Sequence, residues 1–553
     1  MSSTYTATPA QRAGAKEWLG LATLLLPTIL LFLTMTVLFL ATPQIAADLQ
    51  PSSSQVLWIN DIYGFMMAGL LVAMGTLGDR VGRRRVLLFG AVAFGAASTV
   101  AAFSNSAELL IATRAVMGLG AAAVMPATLS LISNMFQNAR QRATAIGMWA
   151  ASVSVGVAVG PLVGGLLLEA FWWGAALLVG VPVMALVVIA APLLVPEYRA
   201  PNAGRLDIPS VALSMAALFP FVYGIKELAK AETFVVPALA LAVGVAVAVV
   251  FVRRQLRLTN PLLDVRLFGN RIFSGALGVF LLAAVALGGV YLLFTQYLQL
   301  VAEQSPLQAG LWILPAALLL VVASTVSPML ARRFRPSSII AAGLLLSAIG
   351  YGVLTQVGSP SGLTLLIVGF YILYPGIAPT MALTTNLVIG SAPPEKAGAA
   401  SAVNTTASDL GVSLGIAILG SIGTAVYRTG MAGDVPAGLS DAAADGARDT
   451  LPGALAAVHE LPASAAYTLL DPARAAFTNG LNVAAGIAAV LALAAAVLSM
   501  TILRRVPPTS DDAPVTEADT DSAPTAEDTD GLPTPAQPPT GSDDDAGVPA
   551  SVR

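Results

Sequence analysis

The chain has 553 residues, 56% of them apolar and only 11% charged, with a mean hydropathy of +0.79. A water-soluble globular protein carries about 25% charged residues, so this composition belongs to the membrane class. The lack of cysteine excludes disulfides, thiolate chemistry and cysteine metal sites, and a single histidine, His459, leaves little for a histidine metal site or general base.

Apolar windows long enough to cross a bilayer fall near 19–41, 56–78, 86–103, 108–133, 143–168, 172–195, 208–226, 233–252, 272–298, 308–330, 338–357, 363–390, 398–426 and 476–503. An all-α membrane protein with fourteen transmembrane helices is predicted. Residues 1–17 read as a polar N-terminal segment with no cleavable signal peptide. The net charge of −3 hides an asymmetry. Residues 506–553 hold eleven acids and one arginine, which leaves the rest of the chain 27 basic and 20 acidic residues. That acidic tail has too few large apolar residues to pack and is expected to be disordered.

With fourteen spans both termini share one side. That side collects twenty-one lysines and arginines, against five on the other: Lys226, Lys230, Arg428, Arg448 and Arg474. The positive-inside rule then makes both termini cytoplasmic. The loop 427–475 falls outside, and its apolar piece Leu451–Val458 is compatible with a short surface helix or hairpin.

Between spans 2 and 3 the chain reads Gly75-Thr-Leu-Gly-Asp79-Arg80-Val-Gly82-Arg83-Arg84-Arg85. Its arginines suit a cytoplasmic anchor, and Gly82 permits a sharp bend. This pattern resembles the loop signature of the major facilitator superfamily. A faint echo, Ser327-Pro-Met-Leu-Ala331-Arg332-Arg333-Phe334-Arg335, follows span 10. It suggests two related six-helix bundles, the plan of many secondary transporters.

Three ionisable residues lie inside spans. Arg114 in span 4 and Asp61 in span 2 enter from the same face, each roughly 9 Å deep at 1.5 Å per residue. An interaction between them is geometrically possible, directly or through water, either as a static ion pair or as part of a proton relay. Asp409 in span 13 sits near mid-membrane with no basic neighbour in sequence. It suits a proton carrier or a site for a cationic cargo, or else an exposed position at a kink. In span 5, Gly156, Gly160 and Gly164 form a strip for close helix approach, and Pro161 bends the helix beside Gly165. Packing alone accounts for such glycines. The combination Gly-x-x-x-Gly-Pro-x-x-Gly-Gly nevertheless resembles the signature of the antiporter branch.

Taken together, the chain is similar to the fourteen-span drug:proton antiporters of the Qac type over about residues 18–503. The resemblance implies a major facilitator fold. An N-terminal bundle over 18–195 and a C-terminal bundle over 272–503 would flank two inserted helices over 208–252. It implies proton-coupled export of hydrophobic compounds across the plasma membrane by alternating access. Proton coupling would involve Asp61, Arg114 and Asp409. A cytoplasmic gating loop would comprise Gly75, Asp79, Arg80, Gly82, Arg83 and Arg84. The chain departs from the family where acids are common elsewhere: Thr34, Leu320, Asn404 and Thr405 stand there. Few carboxylates point to neutral or monocationic cargo. The expected partners are that cargo, protons and membrane lipid, with no nucleic acid and no cofactor beyond the proton gradient, in a monomer. A dedicated exporter of one endogenous natural product fits the same residues. A membrane enzyme lacks a catalytic constellation, and no nucleotide-binding loop points to ATP.

Overall fold

The structure, a computed structural model, describes residues 13–508 apart from 200–206, 229–233, 259–260, 262, 360, 393–396, 434 and 437–438. Arg12, Arg205, Lys230 and Lys396, all counted in the charge bias, fall outside the described residues, as does most of the acidic tail.

The described helices are α1 Ala15–Leu49, α2 Ser53–Val81, α3 Arg83–Ala102, α4 Ala107–Met135, α5 Ala139–Ala170, α6 Trp173–Leu178, α7 Gly180–Leu194, α8 Ile208–Leu228 and α9 Val235–Arg257. They continue with α10 Arg271–Gln296, α11 Pro306–Ala331, α12 Pro336–Leu354, α13 Leu363–Gly390, α14 Ala397–Met431, α15 Asp441–Asp449, α16 Leu451–Ala457 and α17 Ala463–Ile502. Counting α6 with α7, fourteen are long and apolar enough to cross a membrane, and no strand occurs among the described residues. The face where α1 begins and α17 ends is called the terminal face below, and its opposite the far face.

Local chemistry sets several helix starts. Ser52 and Gln55 cap α2 reciprocally, and Ser305 with Gln308 does the same for α11, where Pro306 opens the first turn. Two boundaries differ from the sequence reading. The sixth span breaks at Val179 into α6 and α7. The far-face connection is also shorter than 427–475, because α14 persists to Met431 and α17 already begins at Ala463. Between them α15 and α16 form a helical hairpin, each capped by a hydroxyl, from Ser440 and Thr450.

The helices form two bundles with the same internal pairing. In the first, α1 packs on α5, α2 on α4, α3 on α4 and α3 on α7. In the second, α10 packs on α14, α11 on α13, α12 on α13 and α12 on α17. The bundles meet through α2 against α14 and α5 against α11, again a matched pair. Helices α8 and α9 pair with each other, and α8 also touches both α2 and α14. A small buried cluster of Phe65, Val222 and Ala417 joins those three helices.

Candidate transport site between the bundles

On the far-face side of the bundle interface, helices approach almost backbone to backbone. A side chain added at Gly165 would stand 2.8 Å from the Cα of Leu307, and one at Gly310 would strike the carbonyl of Pro161. On the other seam, Gly64 faces Ser413 and Gly420 faces Leu57 at 2.6 Å. The glycine strip of α5 divides its labour. Gly156, Gly160 and Gly164 face Ile29, Thr36 and Val37 of α1 within the bundle, whereas Pro161 and Gly165 face α11 across it.

Asp61, Arg114 and Asp409 are all buried in this interior. One turn of α2 carries Asp61 and Gly64, and Gly64 lies 3.7 Å from the Asp409 carbonyl when given a Cβ, so the two acids sit on facing turns of α2 and α14. Arg114 sits one turn from Gly118 of α4, whose added Cβ would lie 2.6 Å from the Tyr63 carbonyl of α2. The Asp61–Arg114 interaction that the sequence allows is not made directly. Arg114 instead places its guanidinium 4.6 Å from the centre of the Tyr63 ring and donates from Nε to the Ile59 carbonyl at 3.4 Å. Its two terminal nitrogens have no hydrogen-bond partner among the described residues.

Asp61 is paired to a residue that the sequence reading put in the far-face loop. Lys226 Nζ donates to Asp61 Oδ1 at 2.8 Å, and both side chains are fully buried. The ammonium also lies 3.6 Å from the centre of the Trp58 ring. Lys226 therefore leaves the far-face tally of basic residues. The reason for the miss is geometric. Glu227, its neighbour, accepts from Ser54 in the first turn of α2 at 3.1 Å. The lysine side chain runs inward from there to Asp61, about two turns further along α2. Among the described residues, Asp409 Oδ2 and Asp61 Oδ2 have no hydrogen-bond partner. The four groups, fully ionised, sum to zero charge.

Among the positions that lack family acids, Thr34 hydroxyl donates to the Leu30 carbonyl, Thr405 to Ser401, and Asn404 to Thr385. Leu320 is buried in the apolar core.

At the terminal face, Gly82 has φ +125° and ψ 129°, a left-handed-side conformation that explains a glycine there. Arg83 forms an ion pair with Asp79 and donates to the Pro126 carbonyl at 3.5 Å. Gly75 also faces Pro126, at 3.7 Å. The backbone N–H of Arg84 donates to Glu197 at 3.0 Å, and the Arg84 and Arg85 side chains reach the same carboxylate at 3.9 and 3.8 Å. Arg84 further donates to the Val195 carbonyl at 3.0 Å, while Arg80 is exposed. Glu197 was missed in the sequence, although it is an acid just after the sixth span on the arginine-rich side. Nearby, Asp207 accepts from Arg254 at 2.9 and 3.0 Å and from Ser210 at 2.5 Å, tying the start of α8 to the end of α9.

The sequence profile of the Major Facilitator Superfamily matches residues 24–416. This chain belongs to that superfamily. Among curated superfamily relatives, the Multidrug efflux pump LfrA of Mycolicibacterium smegmatis is 42% identical over 91% of this chain and 100% of its own length. The Methyl viologen resistance protein SmvA of Salmonella typhimurium is 35% identical over 84% and 93%. The Tetracenomycin C resistance and export protein of Streptomyces glaucescens is 30% identical over 89% and 93%. A crystal structure of an inward-facing bacterial homologue of the lysosomal transporter Spinster aligns with TM-score 0.58 at 19% identity, over 88% of this chain and 98% of that one. A peptide transporter POT in complex with sulfate gives 0.60 at 14%, over 88% and 95%. At that identity the likeness concerns the fold alone. As a major facilitator the protein is a multi-pass membrane transporter of small molecules.

Proposed function

We propose that the chain is a proton-driven exporter of hydrophobic drugs, neutral or singly charged, and works by alternating access as a monomer. One observation carries this reading: two buried carboxylates, Asp61 and Asp409, occupy facing turns of helices from opposite bundles. An ionised carboxylate in a dry seam is costly, so Asp409 must be matched by a proton or another cation, and Asp61 likewise whenever Lys226 leaves it, before the bundles can rock past them. That requirement links proton entry to cargo exit. Asp61, Arg114 and Asp409 are the coupling residues, and no cofactor other than the proton gradient is needed. The monomer reading is supported by a site complete within one chain. Twenty-one basic residues on the terminal side of the sequence against four on the far side, with Lys226 set aside, support cytoplasmic termini in the plasma membrane. The loop around Asp79 and Gly82 then acts as a cytoplasmic gate, and 18–195, 208–252 and 272–503 are the two bundles with their inserted pair.

The named specialities of the relatives favour a second reading. Tetracenomycin C is a single natural product, and a dedicated natural-product exporter would share this architecture. Methyl viologen is a rigid dication, so its poor export by this chain would separate it from SmvA. The test is efflux from vesicles with an imposed pH gradient, comparing a neutral compound, a monocation and a dication. Uphill movement of the first two supports the proposal. Transport indifferent to the gradient, or a preference for the dication, removes it.

A further inference from the structure

Helix α8 faces largely outward and buries only Ser210, Val222, Gly224 and Lys226. Three of these have an evident packing or hydrogen-bonding reason. Gly224 lets α9 approach, Val222 fills the seam between Phe65 and Ala417, and Ser210 receives a hydrogen bond from Gln255. Lys226 is buried instead against a charge, the Asp61 carboxylate, and the Trp58 ring. It takes a charged group out of water on a helix that also has apolar contacts to both bundles. Phe219 already stacks on Trp58 with ring centres 6.3 Å apart. An ionisable residue buried in a span marks function more often than architecture.

Charged groups stand on the helices that meet here and on α4 beside α2. Asp61 is on α2, Arg114 on α4, Asp409 on α14 and Glu227 on α8 itself. Only Asp61 pairs with the lysine among the described residues. We infer that Lys226 is a tethered cation that occupies the Asp61 carboxylate in place of a proton or a cationic cargo, and so sets the charge class of cargo the transporter accepts. The inference rests on Asp61 being a coupling carboxylate. Oδ1 of Asp61 already holds an ammonium, so an incoming cation must displace the lysine or stand beside a like charge. The Trp58 face, 3.6 Å from Nζ, gives the displaced ammonium a place to remain when a proton neutralises Asp61. One added positive charge is then tolerable, with Asp409 to receive it. Two are not.

The decisive comparison uses the full chain in phospholipid vesicles with an imposed pH gradient, with tetraphenylphosphonium as monocation and methyl viologen as dication. Lys226→Met should raise the dication-to-monocation rate ratio by about tenfold or more, and Lys226→Arg should leave it as in the wild type. Because the native chain has no cysteine, Lys226→Cys adds a second arm. Reaction with an aminoethyl thiosulfonate restores an ammonium at 226 and should restore the wild-type ratio, whereas an uncharged ethyl reagent should not. An unchanged ratio in inserted Lys226→Met or Lys226→Cys overturns the inference. So does insertion only with arginine or lysine at 226, which would assign the charge to holding α8. If wild-type protein shows no gradient-driven transport, the proton-exporter reading fails instead. Equilibrium competition between the two cations then still reads the effect of Lys226.

Discussion

The carboxylate of Asp449 accepts both the backbone N–H and the hydroxyl of Ser53, at 2.7 and 2.8 Å, across 396 positions of chain. It also lies 3.5 Å from Arg428 Nε. Asp449 ends α15 and Ser53 begins α2, so the far-face hairpin bolts the first bundle to the second through α14. Tyr427 adds a hydroxyl donated to the Ala447 carbonyl at 2.9 Å.

Asp449→Ala should therefore favour opening at the far face. A charge-assisted hydrogen bond is worth about 1.5–3 kcal/mol, less here because the pair is partly exposed. The readout is labelling of Leu57→Cys, buried under the hairpin, by a membrane-impermeant maleimide in the otherwise cysteine-free chain. Several-fold faster labelling is expected, and an unchanged rate would show that the hairpin is not a bolt.

Gly82→Leu should abolish transport while the protein still inserts and binds cargo. The left-handed-side φ costs a non-glycine residue about 1–3 kcal/mol, and the new Cβ would fall 2.7 Å from Glu197 Oε1. Asp79→Asn should act in the same direction by removing the partner of Arg83. Wild-type efflux by well-inserted Asp79→Asn would reduce the loop to an anchor.

Asp409→Asn should remove proton-driven uphill transport or convert it to passive exchange, because an amide cannot load and release a proton. Asp61→Asn should instead leave Lys226 a buried cation held by the Trp58 face alone, which offsets only part of a loss of about 3–5 kcal/mol and should lower the yield of folded protein. Undiminished uphill efflux by Asp409→Asn would eliminate it as a proton site.

The α8–α9 connection carries a pH signature. Hydrogen bonds from Arg254, followed in size by those from Ser210, hold the Asp207 carboxyl below its ordinary range. A group with a depressed folded pKa contributes stability above its unfolded pKa and loses it as pH falls through the folded one. Thermal unfolding midpoints should drop as pH falls below about 4, the unfolded aspartate value, and Asp207→Asn should flatten that acid limb. Identical limbs in both proteins would dismiss the contribution.

Much of this was legible in the sequence, for physical reasons that also explain the gaps. Apolar runs of membrane length disclose themselves, and so do Asp61, Arg114 and Asp409, because a charge inside such a run has few alternatives to the interior. Gly82 was readable from the turn it must make. Lys226 was not, since it sits beside Glu227 at a helix end, where a lysine ordinarily reaches for water. Only the tertiary approach of α8 to α2 reveals that its side chain runs inward. Glu197 and Asp449 were hidden for a similar reason. Their partners lie 113 and 396 positions away, and no local pattern encodes such pairings.

The tight contacts of Gly165 with Leu307 and of Gly310 with Pro161 should also make the protein an insulator. Where two helix backbones touch, no side chain is left to support a file of water molecules, and such a file is what carries protons. A membrane that stores energy as an ion gradient can hold many copies of this chain without short-circuiting only if that joint stays dry. Gly165→Val, which would wedge the joint apart, should accordingly raise the passive proton permeability of vesicles even without cargo, as read by a pH-sensitive dye trapped inside. Equal leak in variant and wild type would mean that the dielectric barrier lies elsewhere along the seam.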